Sequence, residues 1–349
     1  MRIIVVANAS LEVVRERLVS GLRAAGCDVV WLPSWSAVHD PNSGLSHVDI
    51  VVGAGTCPIF SAIVDVATRL RAVVAVGSGT EGFDRALAAQ HTVIIGYGPT
   101  AENSESMAEA TILLMLALSY RLKQSERFLR EGVPGPRQPA RTLRHRTVGL
   151  IGFGRIGRSV ARKLSTWDAR VQVYGPRLDP ASIPSGVALV DFGTLLRTSD
   201  IVSVHVALND QTRKMLGAEQ LESMKPGALL VNTARGGIVD ETALARLLTD
   251  GHLGGAALDV FATLPLPADH PLRQAPNTIL TPHQLGHTRD NVEAAADTVI
   301  ANVARIARGE APLHTRNPEI LPAWTAKWAG RPLGITSKRP PAAAGAKPN

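Results

Sequence analysis

Cysteine is nearly absent from the 349 residues of this chain, in which only Cys27 and Cys57 occur. Two thiols cannot form a disulfide framework for a chain of this length, and no Cys-x-x-Cys pair suggests a zinc site, so no metal is expected. Aromatic residues make up only 4% of the sequence, and aliphatic side chains must therefore form the cores. The scarcity of cysteine favours a reducing compartment, most simply the cytoplasm.

Long hydrophobic runs are also missing. No segment approaches the roughly 20 consecutive apolar residues that a helix needs to cross a bilayer. The sequence begins MRIIVVANAS, which passes from an apolar strand directly into a polar helix. We therefore expect neither membrane insertion nor secretion.

Acidic residues are missing from the last 29 positions, and this asymmetry explains most of the formal net charge of +7. The five basic residues there are Lys327, Arg331, Lys338, Arg339 and Lys347, and the preceding chain carries only +2. Order is expected to weaken after Pro318, and the Pro, Ala and Lys bias predicts a disordered tail over 326–349. A second basic stretch, 121–146, is interpreted as a solvated loop rather than a binding patch. Because no nucleic-acid-binding motif accompanies it, no nucleic-acid partner is expected.

Short apolar runs alternate with segments of helical period along most of the chain. The runs are 3–7, 49–52, 73–76, 93–95, 147–151, 171–174, 201–205, 228–232, 256–259 and 278–280. Strands that alternate with helices predict a parallel sheet with crossover helices. Because these strands are almost wholly apolar, both faces of each sheet should be covered. We therefore expect an α/β protein with doubly wound parallel sheets.

The length and one apolar segment divide this series into two domains. The segment 106–118 is too apolar for a surface helix and is expected to be buried at a domain or subunit border. We assign 102–287 to a dinucleotide-binding domain of the Rossmann type. It is inserted between two parts of a flavodoxin-like substrate domain, 1–101 and 288–325, to which an Ala-rich helix over 290–308 returns.

A glycine motif follows the strand 147–151. It reads Gly152-Phe153-Gly154-Arg155-Ile156-Gly157 and opens a helical stretch. In this context one glycine permits the tight turn, one lets the backbone approach a pyrophosphate, and one permits close helix packing. The N–H groups at the start of the helix, which Arg155 and Ile156 begin, then face an anion. The motif predicts a nicotinamide dinucleotide site.

The next strand ends in Tyr174-Gly175-Pro176-Arg177, where an NAD site would have a carboxylate for the ribose 2′-hydroxyl. No acid is present to repel a 2′-phosphate, and Arg177 is suitably placed to bind one. This pattern favours NADPH, with Arg158 as a further contact, and leaves NAD as the alternative.

Several longer runs then resemble the D-isomer-specific 2-hydroxyacid dehydrogenase family. They are SDIVSVHVALNDQTRKML from Ser199, MKPGALLVNTARGGIVDETAL from Met224, GAALDVF from Gly255, PNTILTPHQLGHT from Pro276 and GEAPLHTRNPE from Gly309. The resemblance covers about 73–319. It implies a homodimeric oxidoreductase that transfers a hydride between a nicotinamide cofactor and a small 2-oxo or 2-hydroxy acid.

The residues fit this chemistry. A 2-oxo acid presents a carboxylate and a ketone, and the guanidinium of Arg235 can bind both and polarise the carbonyl. The resemblance implies that His283 is the general acid and base, a role that suits histidine near neutral pH.

The resemblance also implies supporting contacts. The substrate carboxylate would meet backbone N–H groups at Ser78 and Gly79, and His205, Ala234 and Asp259 would contact the cofactor. Asn103 resembles a substrate-binding asparagine of formate dehydrogenase, although a helix cap is an equally good interpretation.

One position departs from the family pattern LDVFExEP. Here the run reads LDVFATLP, so Leu264 replaces the carboxylate that partners the catalytic histidine. Three explanations follow: a 2-oxo acid reductase with slower turnover and an acid-shifted pH optimum, a hydride transfer that needs no proton, as in formate oxidation, or a catalytically impaired NAD(P)-binding regulatory protein.

Overall fold

The computed structural model describes residues 1–132 and 139–328. It contains two compact units. Unit 1 comprises 1–103 and the chain from 287 onward, and unit 2 comprises 104–286. Most of the predicted disordered tail lies outside the described residues.

Unit 1 is built on a five-stranded parallel sheet with the order β2-β1-β3-β4-β5. Its strands are β1 (Arg2–Val6), β2 (Asp28–Leu32), β3 (Ile50–Ala54), β4 (Ala72–Val76) and β5 (Ile94–Gly96). Its helices are α1 (Ala9–Val13), α2 (Arg15–Ala24), α3 (Phe60–Val66), α4 (Arg85–Gln90), α11 (Arg289–Ala307) and α12 (Leu321–Trp328). This strand order is that of flavodoxin-like sheets.

Alternate side chains of each strand in unit 1 enter different cores. Ile3 and Val5 pack with α2, α11 and α12, whereas Ile4 and Val6 pack with α3 on the other face. Burial on both faces explains why these strands are continuously apolar. The Ala-rich helix predicted over 290–308 is α11, and it lies in unit 1.

The predicted loss of order after Pro318 is wrong for the described residues. A 3-10 turn at Pro318–Ile320 leads into α12, which includes residues 326–328 of the predicted tail. Trp324 is fully buried and donates its indole N–H to the carbonyl oxygen of Arg71 (2.8 Å). The prediction relied on the overall composition of the segment and gave no weight to Trp324 and Trp328. These two side chains pack in the core and hold the helix there.

Unit 2 is built on a seven-stranded parallel sheet with the order β12-β11-β10-β9-β6-β7-β8. Its strands are β6 (Thr147–Ile151), β7 (Arg170–Tyr174), β8 (Val187–Leu189), β9 (Ile201–Val204), β10 (Leu229–Asn232), β11 (Gly255–Leu258) and β12 (Thr278–Leu280). Its helices are α6 (Leu122–Glu131), α7 (Arg155–Leu164), α8 (Phe192–Thr198), α9 (Ala218–Glu222) and α10 (Glu241–Thr249), together with most of α5 (Ala101–Ser119). Two doubly wound parallel sheets confirm the predicted fold class.

The order of strands in unit 2 reverses next to β6. The chain runs outward from β6 through β7 and β8, and then returns to place β9 on the opposite side of β6. In such sheets, ligands bind beside the carboxyl ends of the strands at this switch point. The glycine motif that follows Ile151 therefore occupies the expected binding position.

The sequence interpretation missed β2 and β8. Both are edge strands, β2 in unit 1 and β8 in unit 2. Both strands are apolar in sequence, DVVWL and VAL, so the local signal was present and was overlooked. Their side chains are mostly half-buried or exposed, because an edge strand is covered less completely than a central one.

The predicted apolar helix 106–118 lies within α5. Most of its side chains are buried, whereas Leu113 is 54% exposed. Within residues 1–132 and 139–328, no helix combines the length and hydrophobicity that a membrane span requires.

Candidate active site

The site residues predicted in unit 2 follow the carboxyl ends of six adjacent strands. Along the sheet these strands are β12, β11, β10, β9, β6 and β7. They lead respectively to His283, Asp259, Ala234 with Arg235, His205, the glycine motif and Arg177. Parallel strands present their carboxyl ends at one sheet edge, so these residues share that edge.

The three glycines of the motif meet different surroundings. Gly152 has φ +97°, and a Cβ atom there would lie 2.7 Å from the carbonyl oxygen of His205. A Cβ on Gly157 would lie 2.6 Å from the carbonyl oxygen of Gly152, so only glycine permits this close packing of helix and strand. No atom lies within 4 Å of a Cβ built on Gly154, which is the N-cap residue of α7. The loop therefore fits an approaching pyrophosphate, with the N-terminus of α7 beside it.

Arg177 extends the binding edge at β7. Ile151 pairs in register with Tyr174, and the N–H of Gly152 donates to the carbonyl oxygen of Tyr174 (2.7 Å). Arg177 is exposed, and none of the described residues forms a hydrogen bond or ion pair with it. Arg158 instead donates to the carbonyl oxygen of Ser182 (3.0 Å) and lies over the ring of Phe153.

His205 follows β9 beside the glycine motif. Its Nε2 lies 2.9 Å from the hydroxyl of Ser203, and its backbone N–H donates to the carbonyl oxygen of Ile151 (2.7 Å). Burial lowers the pKa of His205 to about 4. The imidazole is therefore neutral near pH 7.

A buried asparagine shapes the turn that carries Arg235. Asn232, at the end of β10, donates from Nδ2 to the carbonyl oxygen of Arg235 (2.9 Å) and accepts the N–H of Ala234 (3.0 Å). Through these two bonds the Asn232 side chain fixes the backbone of the turn from Ala234 to Arg235. Half-buried Arg235 donates from Nη1 to the carbonyl oxygen of Ala234 (2.7 Å).

Asp259 organises the loop that carries His283. It is 1% exposed, and its Oδ1 accepts the hydroxyl of Thr281 (2.6 Å) and the N–H of Gln284 (3.1 Å). Its Oδ2 accepts the N–H of Leu285 (3.3 Å). His283 itself is exposed and has φ +56°. These bonds hold the loop on both sides of the imidazole.

The strand register places Arg235 and His283, the two residues proposed to act on the substrate, at corresponding positions. Asn232 pairs with Leu258, and Leu258 pairs with Leu280, so β10, β11 and β12 end level with one another. Arg235 and His283 each follow three residues later. Two strand spacings separate their strands by about 10 Å, a span that two long side chains can bridge through a small substrate.

Leu264 lies in a loop fixed beside the arginine turn. Its side chain is 48% exposed. Buried Glu241 accepts the N–H of Ala262 (2.6 Å) and lies 3.3 Å from Nε2 of His270. A Cβ on Gly236 would clash with the backbone carbonyl carbon of Phe261, so the loop backbone packs directly on the turn after Arg235.

In unit 1, the predicted substrate loop follows β4. Gly77 has φ +89°, and the N–H groups of Ser78 and Gly79 donate to none of the described residues. The loop packs closely on Gly55, because a Cβ at that position would clash with the carbonyl oxygen of Gly79. Successive backbone N–H groups in a turn are able to bind an anion, which is the role predicted for this loop.

Asn103 lies within the first turn of α5, so its interpretation as the helix cap is wrong. Thr100 precedes the helix, and its hydroxyl accepts the N–H of Asn103 (3.0 Å). The side chain of Asn103 is half-buried. Its substrate role stays a prediction.

Sequence reasoning missed three groups that position these residues: Asn232, Thr281 and Glu241. Each is a polar residue at or near the end of an apolar strand or the start of a helix, where a buried polar group must find a hydrogen-bond partner. A polar residue at such a position was therefore the sequence signal that could have identified these three groups. Within the described ranges, no group of three or more His, Cys, Asp or Glu side chains could hold a metal ion.

The fold and the glycine loop together define a dinucleotide-binding protein of the Rossmann class. Residues 112–284 match the family model for the D-isomer specific 2-hydroxyacid dehydrogenase NAD-binding domain. The chain is 32% identical over 313 residues to a glyoxylate reductase of Thermofilum pendens, covering 84% of this chain and 90% of that protein.

Two solved structures are similar over the same extent. An NADPH-dependent glyoxylate/hydroxypyruvate reductase from Sinorhizobium meliloti, in complex with NADP and malonate, is 28% identical with a TM-score of 0.78 and covers 90% of this chain and 96% of its own. A NAD-dependent formate dehydrogenase from Staphylococcus aureus, in complex with NAD, is 29% identical with a TM-score of 0.72 and covers 89% and 96%.

The chain belongs to the D-isomer-specific 2-hydroxyacid dehydrogenase family. This confirms the resemblance and the reaction class, oxidoreduction of a small 2-hydroxy acid with a nicotinamide cofactor.

Proposed function

We propose that this protein reduces a small 2-oxo acid, such as glyoxylate, hydroxypyruvate or a larger analogue, to the D-2-hydroxy acid with NADPH. The observation that carries the proposal is the level ending of β10, β11 and β12, from which Arg235, Asp259 and His283 extend beside the edge that carries the glycine loop.

Arg235 binds the substrate and polarises it. A guanidinium presents N–H groups in a planar fork, so it can contact a carboxylate oxygen and the ketone oxygen together. Negative charge grows on the ketone oxygen during reduction, and a fixed cation stabilises that charge more than the ground state. A bound nicotinamide supplies the hydride chemistry.

His283 delivers the proton to the developing alkoxide and removes it in the reverse reaction. The bonds from Thr281, Gln284 and Leu285 to Asp259 support this role, because they hold the loop on both sides of the imidazole. We also retain Asp259, Ala234 and His205 as cofactor contacts.

The substrate carboxylate is bound in unit 1. The N–H groups of Ser78 and Gly79 without partners among the described residues support this assignment, and Gly77 lets the loop adopt the required backbone conformation. Asn103 is a second proposed substrate contact.

NADPH is the favoured cofactor because Arg177 is exposed, has no partner among the described residues and follows a strand without a terminal carboxylate. The similar structures include one complex with NADP and one with NAD, so the preference rests on Arg177.

We propose a homodimer formed through unit 2. A groove of about 650 Å³ is lined by α5 and by residues near the end of α7, and it carries the exposed apolar side chains of Leu113 and Trp167. On α6, Leu129 is 86% exposed. Such apolar surface favours association with a second copy. Light scattering after size exclusion should give a dimer, and Leu113→Asp should shift it toward the monomer.

We also propose that the protein works in the reducing cytoplasm. Cys27 and Cys57 are both free and buried, and burial raises the pKa of each thiol to about 11. Fractionation of the native cells tests this location.

A second candidate function is that of a regulatory protein that binds NAD(P) without turnover. Leu264 at the family's carboxylate position favours it, because no acidic residue occurs between Asp259 and Asp269 to support His283. A hydride transfer without a proton would also tolerate Leu264, and formate oxidation tests that explanation.

The deciding experiment is a screen of 2-oxo acids with NADPH and NADH, followed by absorbance, with formate oxidation in parallel. We expect turnover of at least one 2-oxo acid and a lower KM for NADPH than for NADH. Tight cofactor binding without any turnover would favour the regulatory function, and a clear preference for NADH would contradict the role of Arg177.

A further inference from the structure

We propose that Arg316 is a positioning residue for substrate binding. Its guanidinium fixes the Ser78–Gly79 peptide so that the N–H of Gly79 faces the carboxylate of the 2-oxo acid. This inference rests on the proposed function, which places the substrate carboxylate at this loop. Arg316 is distant in sequence from the loop and belongs to no glycine motif.

The backbone of Arg316 is held against β5. Gly96 and Thr315 form an antiparallel bridge. The N–H of Tyr97 donates to the carbonyl oxygen of His314 (3.2 Å), and the N–H of Arg316 donates to that of Ile95 (2.9 Å). This short pairing carries the side chain of Arg316 to the carboxyl edge of the sheet, where β4 and β5 end.

Three contacts then fix the guanidinium. Its Nη2 donates to the carbonyl oxygen of Ser78 (2.9 Å), and its Nε donates to the hydroxyl of Thr80 (3.1 Å). Its Cζ lies 4.2 Å from the centroid of the Tyr97 ring. The side chain of Arg316 is exposed, so these two hydrogen bonds and the stacked ring are what hold the planar group against the loop as a clamp.

Peptide planarity transmits this clamp to the proposed anion site. In a trans peptide the C=O and the following N–H point in opposite directions. Arg316 binds the C=O of Ser78, so the N–H of Gly79 points away from the guanidinium. The carbonyl of Gly79 packs against Gly55, so the N–H of Thr80 points away from Gly55 in the same manner. Neither N–H donates to a described residue.

Two roles of Arg316 would affect activity differently. As a positive charge near the site, it would attract any anion, and lysine would replace it. As a clamp, it needs two donors in a fixed plane, and lysine would fail. The comparison of Arg316→Lys with Arg316→Met therefore separates positioning from simple charge.

The first measurement is steady-state kinetics with the best 2-oxo acid from the screen. We expect both variants to raise KM about 5- to 20-fold, with kcat and the KM for the cofactor within about twofold of the wild type. A displaced N–H weakens its hydrogen bond to the charged carboxylate without abolishing it, and complete loss of such a bond would cost about 10- to 100-fold. Binding of oxamate to the enzyme–cofactor complex should weaken by the same factor. The matched control is Arg85→Met, which removes an exposed cation of unit 1 that pairs with Glu319.

The second measurement is hydrogen–deuterium exchange of the peptide that spans residues 77–83, which does not depend on activity. We expect faster exchange in both Arg316 variants and wild-type exchange in Arg85→Met. Thr80→Val removes one acceptor without a charge change and should raise the KM for the 2-oxo acid about two- to threefold.

The outcomes separate the two claims. An unchanged KM and unchanged exchange in Arg316→Met, or full rescue by lysine, would overturn the positioning role and leave the proposed function intact. A wild-type protein that neither turns over a 2-oxo acid nor binds oxamate would refute the proposed function. In that case the substrate role of Arg316 falls with it, and the exchange data alone decide whether the residue orders the loop.

Discussion

The two units use the same backbone device at the ends of two parallel strands. Gly77 follows β4 in unit 1 with φ +89°, and Gly152 follows β6 in unit 2 with φ +97°. A left-handed glycine at this point turns the chain so that the next N–H groups lie at the binding edge of the sheet. Each loop thus offers backbone donors to an anion.

The loops differ in what holds these donors. In unit 2 the glycine loop leads directly into α7, whose first N–H groups and dipole would face the proposed pyrophosphate. In unit 1 no helix follows the glycine directly, and the loop is held by packing on Gly55 and by Arg316. The first loop is specified by local sequence, whereas the second loop is bonded by a residue more than 200 positions away.

The largest expected effect tests whether Arg235 of unit 2 takes part in catalysis. Arg235→Gln removes the cation that stabilises charge on the ketone oxygen, and we expect kcat/KM for the 2-oxo acid to fall about 10³-fold. The cofactor Kd should change little. Steady-state kinetics and fluorescence titration of NADPH measure both quantities.

The control is Arg246→Gln, which removes an exposed arginine of α10 that pairs with Glu222. Its kinetics should equal those of the wild type. A loss below tenfold in Arg235→Gln would contradict the assignment of Arg235 to catalysis.

The next effect contrasts the two glycines directly. Alanine at either position adopts an unfavourable positive φ, which costs about 1–2 kcal/mol of folding stability. In Gly152→Ala the new Cβ also meets the carbonyl oxygen of His205 at 2.7 Å, whereas around Gly77 nothing lies within 4 Å. Overpacking adds about 1–3 kcal/mol, so Gly152→Ala should be the less stable variant in urea unfolding. Equal losses of stability would show that the difference in crowding is unimportant.

The same contrast explains what the sequence could predict. Apolar runs located the central strands, and the motif Gly152–Gly157 marked the dinucleotide site, because both signals lie within a few residues. The contacts of Asn232, Glu241 and Arg316 join segments that are separated along the chain, and no local pattern records them. Edge strands β2 (DVVWL) and β8 (VAL) carry the same kind of local apolar signal and were nevertheless missed.

A smaller effect concerns recognition by a side chain at the edge of unit 2. Arg177→Ser removes the cation proposed to bind the 2′-phosphate, and we expect KM for NADPH to rise about 10- to 30-fold, since a hydrogen bond to a charged group has this size. KM for NADH should stay within twofold.

Arg170 supplies the control because it is exposed at the opposite end of the same strand, β7. Arg170→Ser makes the same substitution away from the binding edge and should leave both constants unchanged. Parallel increases for NADPH and NADH in Arg177→Ser would indicate a general loss of binding and contradict 2′-phosphate recognition.

The smallest effect tests the departure from the family pattern at position 264. Leu264→Glu restores a carboxylate in the loop that packs beside the arginine turn. A carboxylate next to a histidine favours its protonated form and orients the ring. We therefore expect the rate of 2-oxo acid reduction to rise about 5- to 10-fold and the pH optimum to move upward, because the protonated histidine then persists to higher pH. Leu264→Gln has the same length without the charge and should give at most a small gain. If Leu264→Glu stays inactive with every 2-oxo acid while it still binds NADPH, the regulatory function explains the protein better than slow catalysis does.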